Sequence, residues 1–213
     1  EPSAQTTRDP GPMWQTLRQP MVAGLLLTCA LMQLSHGPYY GFYSLYVGSH
    51  GHGEGLIGWL WALGVVAEIL TFLLAPVWLR RIGPRQLMLA ALAIAALRWV
   101  LLALFAESLG MLVFIQCLHM ASFGLYHAVG VFLINRVFLG RQQGRGQALY
   151  SAISLGLGGA LGSVLGGMIW DHGPSEALFL FAAIAASLGF AVAWVTLRGP
   201  ALARSGSRPA ADG

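Results

Sequence analysis

The stretch APVWLRRIGPRQLM, residues 75–88, joins two long apolar segments through a short loop that contains three arginines. The segments on either side cover residues 55–79 and 86–106. Each has close to the roughly 20 apolar residues that a helix needs to cross a bilayer. A short basic loop is typical of the cytoplasmic side of a membrane, because loops that remain inside keep their arginines. The stretch therefore predicts two consecutive transmembrane helices.

The same pattern continues outward in both directions. Six crossings are predicted: Met21–Val47, Gly55–Leu79, Gln86–Ala106, Leu109–Asn135, Gln147–Trp170 and Glu176–Leu197. Arginines occur on both flanks and at every second connection, and the other connections have none. This alternation places both termini in the cytoplasm. The fold class predicted is an all-α membrane protein with six transmembrane helices, embedded in the lipid bilayer.

The composition supports a membrane protein and argues against nucleic acid as a partner. The chain is 56% hydrophobic and only 9% charged, whereas soluble domains contain about 25% charged residues. The net charge of +4 is spread over short loops, where membrane orientation explains it. Two cysteines, both within apolar segments, are too few for a disulfide framework or a metal cage. We expect neither a cofactor nor a metal.

A motif of the form Gln-x-x-His-x-x-x-aromatic-x-x-Tyr occurs twice, 83 residues apart. Its copies are Gln33, His36, Tyr40 and Tyr43, then Gln116, His119, Phe123 and Tyr126. Because each copy belongs to a unit of three helices, the second unit must run in the opposite direction across the membrane. Such inverted repeats are typical of secondary transporters, with the site near the midplane. The predicted division is a cytoplasmic linker 1–20, repeats 21–106 and 107–197, and a disordered cytoplasmic tail 198–213.

Two charged residues lie near the middle of predicted crossings, Glu68 in the second and Arg98 in the third. A charge at that depth costs on the order of 3 kcal/mol, so such residues usually face the bundle interior or a substrate pathway. The two helices are consecutive, which makes a Glu68–Arg98 ion pair possible. The alternatives are a pair that only locks two helices together and a pair that takes part in transport.

The fifth crossing carries small residues every four positions, at Gly158, Gly162 and Gly166. Small residues at this spacing let helix backbones approach closely, so we predict a helix-packing surface. A G-x-G-x-x-G match in the same segment is not a dinucleotide-binding loop, because no strand precedes it.

Five short motifs fall in order on successive predicted helices. They are SHGPYYGF (35–42), IGWLWALGVVAE (57–68), LRW (97–99), QCLH (116–119) and QALYSA (147–152). Together they resemble the phenylpropionate permease family, a branch of the major facilitator superfamily. The resemblance covers almost all of residues 14–173. It implies helices seven to twelve of a twelve-helix carrier, whose missing amino-terminal six-helix half forms the other wall of the site.

The resemblance implies proton-coupled uptake of a small organic substrate through the cytoplasmic (inner) membrane. We expect proton coupling at Glu68, His36 and His119. Arg98 is expected to bind an anionic substrate, with Gln33, Tyr39, Tyr40, Tyr43, Gln116 and Phe123 around it. An aromatic acid such as 3-phenylpropionate suits a cation beside flat aromatic rings.

Other functions remain open at this point. The chain could be a non-transporting six-helix scaffold, a homodimeric half-carrier, or part of a symporter for nucleosides or sugars. A membrane metalloenzyme built on His36, His119, His127 and Glu68 is disfavoured, because no H-E-x-x-H or similar ligand spacing occurs. We therefore do not expect an enzyme.

If this chain is the carboxy-terminal half of a twelve-helix carrier, the mass of the natural gene product can be predicted. An antibody against the arginine-rich tail should detect a membrane species of about twice the 22.7 kDa of this chain. A species of 22.7 kDa would instead favour a free six-helix unit, and crosslinking would then test for a homodimer.

Overall fold

A computed structural model describes residues 12–198 of the chain. After a short helix, Met13–Leu17, come six helices long and apolar enough to cross a membrane. These first to sixth spans are Pro20–Ser49, Glu54–Arg81, Pro84–Phe105, Leu109–Val137, Gly140–His172 and Ser175–Thr196. The six predicted crossings and the all-helical fold class are confirmed. Most of the predicted linker and all but one residue of the predicted tail lie outside the described residues.

The largest difference from the predicted boundaries is at the start of the fifth span. It begins at Gly140, with one 3-10 turn at Gly140–Gln142, and not at Gln147. The added residues, GRQQGRG, are polar. Hydropathy marks only the part of a helix that lies in lipid, so a polar extension beyond the bilayer is invisible to it.

The turn between the second and third spans depends on glycine and proline. Gly83 adopts a φ of 93°, in the left-handed region that favours glycine. Pro84 then occupies the first turn of the third span, where its missing N–H does no harm. The two residues explain why the chain reverses within the basic loop of residues 75–88.

The first three spans and the last three spans pack in corresponding ways. The first span packs against the fifth and sixth, and the fourth packs correspondingly against the second and third. The third and sixth spans pack against each other. This arrangement agrees with two three-helix repeats, whose boundaries at 21–106 and 107–197 stay predictions.

Two spans contain π-helical segments, which the sequence did not predict. They are Met120–Leu125 in the fourth span and Ala152–Gly158 in the fifth. A π-helical turn widens the helix and occurs frequently at functional sites. The segment in the fourth span directly follows His119.

The first and fifth spans approach backbone to backbone at two glycines. A side chain on Gly158 would meet the carbonyl of Ala30, and one on Gly162 would meet the carbonyl of Leu34. Pro38 has no N–H to donate to the Leu34 carbonyl, so this carbonyl is open to the Gly162 backbone. The third residue of the stripe, Gly166, faces the Pro38 ring and a leucine side chain.

This contact predicts a difference between two Gly→Ala variants of the fifth span. Gly162→Ala should lower the free energy of unfolding by about 1–3 kcal/mol, because its methyl group collides with backbone that cannot move aside. Gly159→Ala is the matched control, since a Cβ there meets nothing within 4 Å. The control should be neutral or stabilised by up to about 1 kcal/mol. Thermal unfolding in detergent measures both, and equal effects would contradict the close contact.

Candidate functional site

Arg98 of the third span is fully buried at 0% exposure, and its guanidinium group binds the fourth span. Its Nε donates to the carbonyl of Ile115 at 3.1 Å, and its Nη2 donates to Gln116 Oε1 at 3.1 Å. Its Nη1 lies 3.5 Å from the Ser122 hydroxyl, inside the π-helical segment. The arginine therefore holds the fourth span both before and within the segment where its helix widens.

Two aromatic rings also lie against the same guanidinium group. Its central carbon lies 4.4 Å from the centre of the Tyr39 ring and 4.3 Å from that of Trp99. Contacts of this kind stabilise a cation by about 2 kcal/mol or more when water is excluded. Among the described residues Arg98 has no carboxylate partner.

Glu68 does not form the ion pair with Arg98 that the sequence made possible. Its carboxylate lies 3.9 Å from Nε2 of His119. The physical reason is the packing of the helices. The second span, which carries Glu68, packs mainly against the fourth and hardly touches the third, although the third follows it in the chain.

The two histidines of the repeated motif lie side by side. The rings of His36 and His119 have their centres 6.1 Å apart. His36 is held by its own helix, through Nδ1 at 2.9 Å from the carbonyl of Met32. His119 stacks on Phe123, with 5.4 Å between ring centres and 9° between the planes.

An aromatic surface flanks the histidines, and part of it is open. Tyr40 is 48% exposed and lies 6.0 Å from the ring of Phe123. Trp61 of the second span stacks on Tyr40 at 6.2 Å, and its indole N–H donates to Ser44 at 3.0 Å. Trp61 was not among the predicted site residues. Its position two helical turns before Glu68 places both on one helix face, and that signal could have found it.

Most predicted site residues are thus brought together in what we name the central cluster. It consists of His36, Tyr39, Tyr40, Glu68, Arg98, Gln116, His119 and Phe123, with Trp61 and Trp99 added by the structure. Tyr43 joins its edge through ring contacts with Tyr39 and Trp61. Gln33 is buried one turn before His36, and its side-chain oxygen has no partner among the described residues.

Polar contacts continue from the cluster along the fourth and fifth spans. His127 stacks on Phe123 at 6.0 Å, and its Nδ1 lies 3.1 Å from the hydroxyl of Tyr150. Further along, Gln147 donates to the side chain of Asn135 at 2.8 Å. Within residues 12–198, no group of three or more His, Cys, Asp or Glu side chains is placed to hold a metal ion.

The contacts of Arg98 predict a specific loss on its replacement by lysine. An ammonium group is a point donor and cannot reach Ile115, Gln116 and Ser122 as the planar guanidinium does. Losing two hydrogen bonds to a charged group, at about 1.5–3 kcal/mol each, should lower the free energy of unfolding by at least about 3 kcal/mol.

Thermal unfolding of the purified full-length protein measures this change, with Arg81→Lys as the control. Arg81 is exposed in the last turn of the second span. Its replacement should change the free energy by less than about 0.5 kcal/mol. Similar effects of the two substitutions would contradict the bracing role of Arg98.

Comparison with known proteins agrees with this architecture. Residues 1–181 match the model of the family described as "MFS_1 like family". The chain is also similar to the "Probable 3-phenylpropionic acid transporter" of Escherichia coli (strain K12), with 32% identity over 151 residues. That match covers 68% of this chain and 38% of the relative, so the chain spans well under two thirds of the relative's length. The chain has six helices that can span a membrane, and it belongs to the MFS_1-like family of the major facilitator superfamily.

Proposed function

We propose that the natural protein is a proton-coupled symporter for a small aromatic carboxylate such as 3-phenylpropionate. One observation carries the proposal: a fully buried arginine at mid-membrane, with no carboxylate partner among the described residues. An uncompensated cation in a region of low dielectric attracts an anion strongly. A neutral substrate such as a nucleoside or sugar would make no use of that charge.

The substrate would meet Arg98 through the groups that surround it. Tyr39 and Trp99 lie against it, and Gln116 accepts a hydrogen bond from one of its N–H groups. The guanidinium therefore acts through its field and through the side chains that it polarises. Tyr40, which is 48% exposed, and Phe123, which meets it edge to face, offer apolar ring surface for an aromatic substrate.

The coupling proton is assigned to the pair formed by Glu68 and His119. Both groups can gain or lose a proton, and they face each other at 3.9 Å near the middle of their helices. The Glu68 side chain is 20% exposed, so a proton can reach it from the open side of the cluster. Protonation of the carboxylate removes the negative charge of the pair, and the site then favours an anion more strongly.

The family also supports a proposal for the rest of the carrier. The relative is more than twice as long as the matched region, and we propose that an amino-terminal six-helix half covers the open side of the central cluster. The arginine pattern supports cytoplasmic termini in the inner membrane. A scaffold or a homodimeric half-carrier is the remaining alternative, and catalytic activity is not part of the proposal.

The proposal predicts that Glu68→Gln uncouples transport. In vesicles with an inward proton gradient, wild-type full-length protein should accumulate labelled 3-phenylpropionate, and the variant should lose this accumulation at least tenfold. Exchange of internal for external substrate needs no net proton movement, so it should remain. Glu54→Gln is the matched control, because Glu54 is exposed at the start of the second span. It should behave as wild type.

Two results would count against the proposal. Accumulation by Glu68→Gln at the wild-type level would remove Glu68 from the coupling step. Equal competition by the uncharged 3-phenylpropionamide would show that the site does not select an anion.

A further inference from the structure

The two adjacent histidines each leave one ring nitrogen unpaired. Nδ1 of His36 lies 2.9 Å from the carbonyl of Met32. A carbonyl only accepts, so Nδ1 of the neutral ring carries the proton and Nε2 presents a lone pair. Nε2 is buried and has no hydrogen-bond partner among the described residues.

His119 has the opposite arrangement. Its Nε2 faces the carboxylate of Glu68 at 3.9 Å, while its Nδ1 is buried without a partner. At 3.9 Å this contact is longer than a hydrogen bond, but the field of the carboxylate favours the tautomer with its proton on Nε2, in which Nδ1 presents a lone pair. Two lone pairs thus lie on adjacent rings whose centres are 6.1 Å apart. Two acceptors cannot bond to each other, so each of them needs a donor.

Gln116 supplies the complementary atom. Its Oε1 accepts from the Tyr39 hydroxyl at 3.2 Å and from Arg98 Nη2 at 3.1 Å. These two donors fix which end of the amide is oxygen. The amide nitrogen Nε2 is therefore a donor, and it too is buried without a partner.

We propose that one water molecule binds among these three atoms. It donates its two hydrogens to His36 Nε2 and His119 Nδ1 and accepts from Gln116 Nε2. Two hydrogen bonds of ordinary length from one oxygen span about 4.5–5 Å, which suits rings at this separation. Buried waters typically make about three such bonds, and each atom left unpaired would cost about 1–3 kcal/mol.

The water makes His36 and His119 one proton-sharing unit, an inference that rests on the proposed proton coupling. A proton on Nδ1 of His119 passes to the water, and the water gives one of its own hydrogens to Nε2 of His36. One proton moves and the water is restored. This connects Glu68 on the second span with His36 on the first, by way of His119 in the second predicted repeat.

A double-mutant cycle in the full-length protein tests the shared unit. In His36→Gln and His119→Asn the new amide places a polar atom near the lost nitrogen but cannot carry a proton. Each single variant should lower pH-driven accumulation of 3-phenylpropionate at least tenfold, with exchange retained. Accumulation by the double variant should be no more than about twofold lower than that of either single variant, because the effects of sites that act together are not additive.

His127→Asn provides the matched control. His127 uses its Nδ1 for Tyr150, outside the proposed water site. Its effect should multiply with that of His36→Gln. Multiplicative effects for His36→Gln with His119→Asn would overturn the proposal.

A structure at high resolution gives a second test that does not depend on transport. It should show one density peak about 2.6–3.2 Å from each of His36 Nε2, His119 Nδ1 and Gln116 Nε2. Rings turned to pair these nitrogens with protein atoms would overturn the proposal. If wild-type protein shows no proton-driven uptake, the proposed function fails, and the density alone still decides the water site.

Discussion

The positive charge of Arg98, enclosed at mid-membrane, is the constraint on which the central cluster depends. A charge in that position must be surrounded by acceptors and polarisable groups, because neither water nor a carboxylate of the described residues reaches it. The fourth span supplies acceptors before and within its widened turn, and Tyr39 and Trp99 supply aromatic rings. The orientation of the Gln116 amide follows from the same demand.

These requirements also tie the helices together. Arg98 joins the third span to the fourth, and Thr71 of the second span donates to the Met120 carbonyl at 3.1 Å, at the start of the same π-helical segment. The widened turn is thus held from two sides, and it carries Phe123 toward the open side of the cluster. The first span contributes the remaining side of the site. The glycines of the fifth span let the first and fifth spans approach each other closely.

The sequence was sufficient to predict the spans and most members of the cluster, because a polar residue within an apolar membrane helix usually faces the bundle interior or a functional site. It could not identify the partner of Glu68, which depends on which helices pack together. The π-helical segments have no residue signature, since their backbone pattern is set by contacts such as those of Arg98 and Thr71. Trp61 was missed because a tryptophan among apolar residues does not stand out by composition.

The repeated motif is symmetric, but the charges around it are not. The two glutamines are separated by 116 − 33 = 83 residues, and the same offset from Glu68 and Arg98 leads to Ser151 and Phe181. At these matched positions only the first repeat carries a carboxylate and a guanidinium group. This explains why the two histidines have different neighbours: His36 bonds to its own helix, whereas His119 faces a carboxylate at 3.9 Å. Inverted repeats give a carrier two related conformations, and a proton on an asymmetric cluster can stabilise one of them over the other.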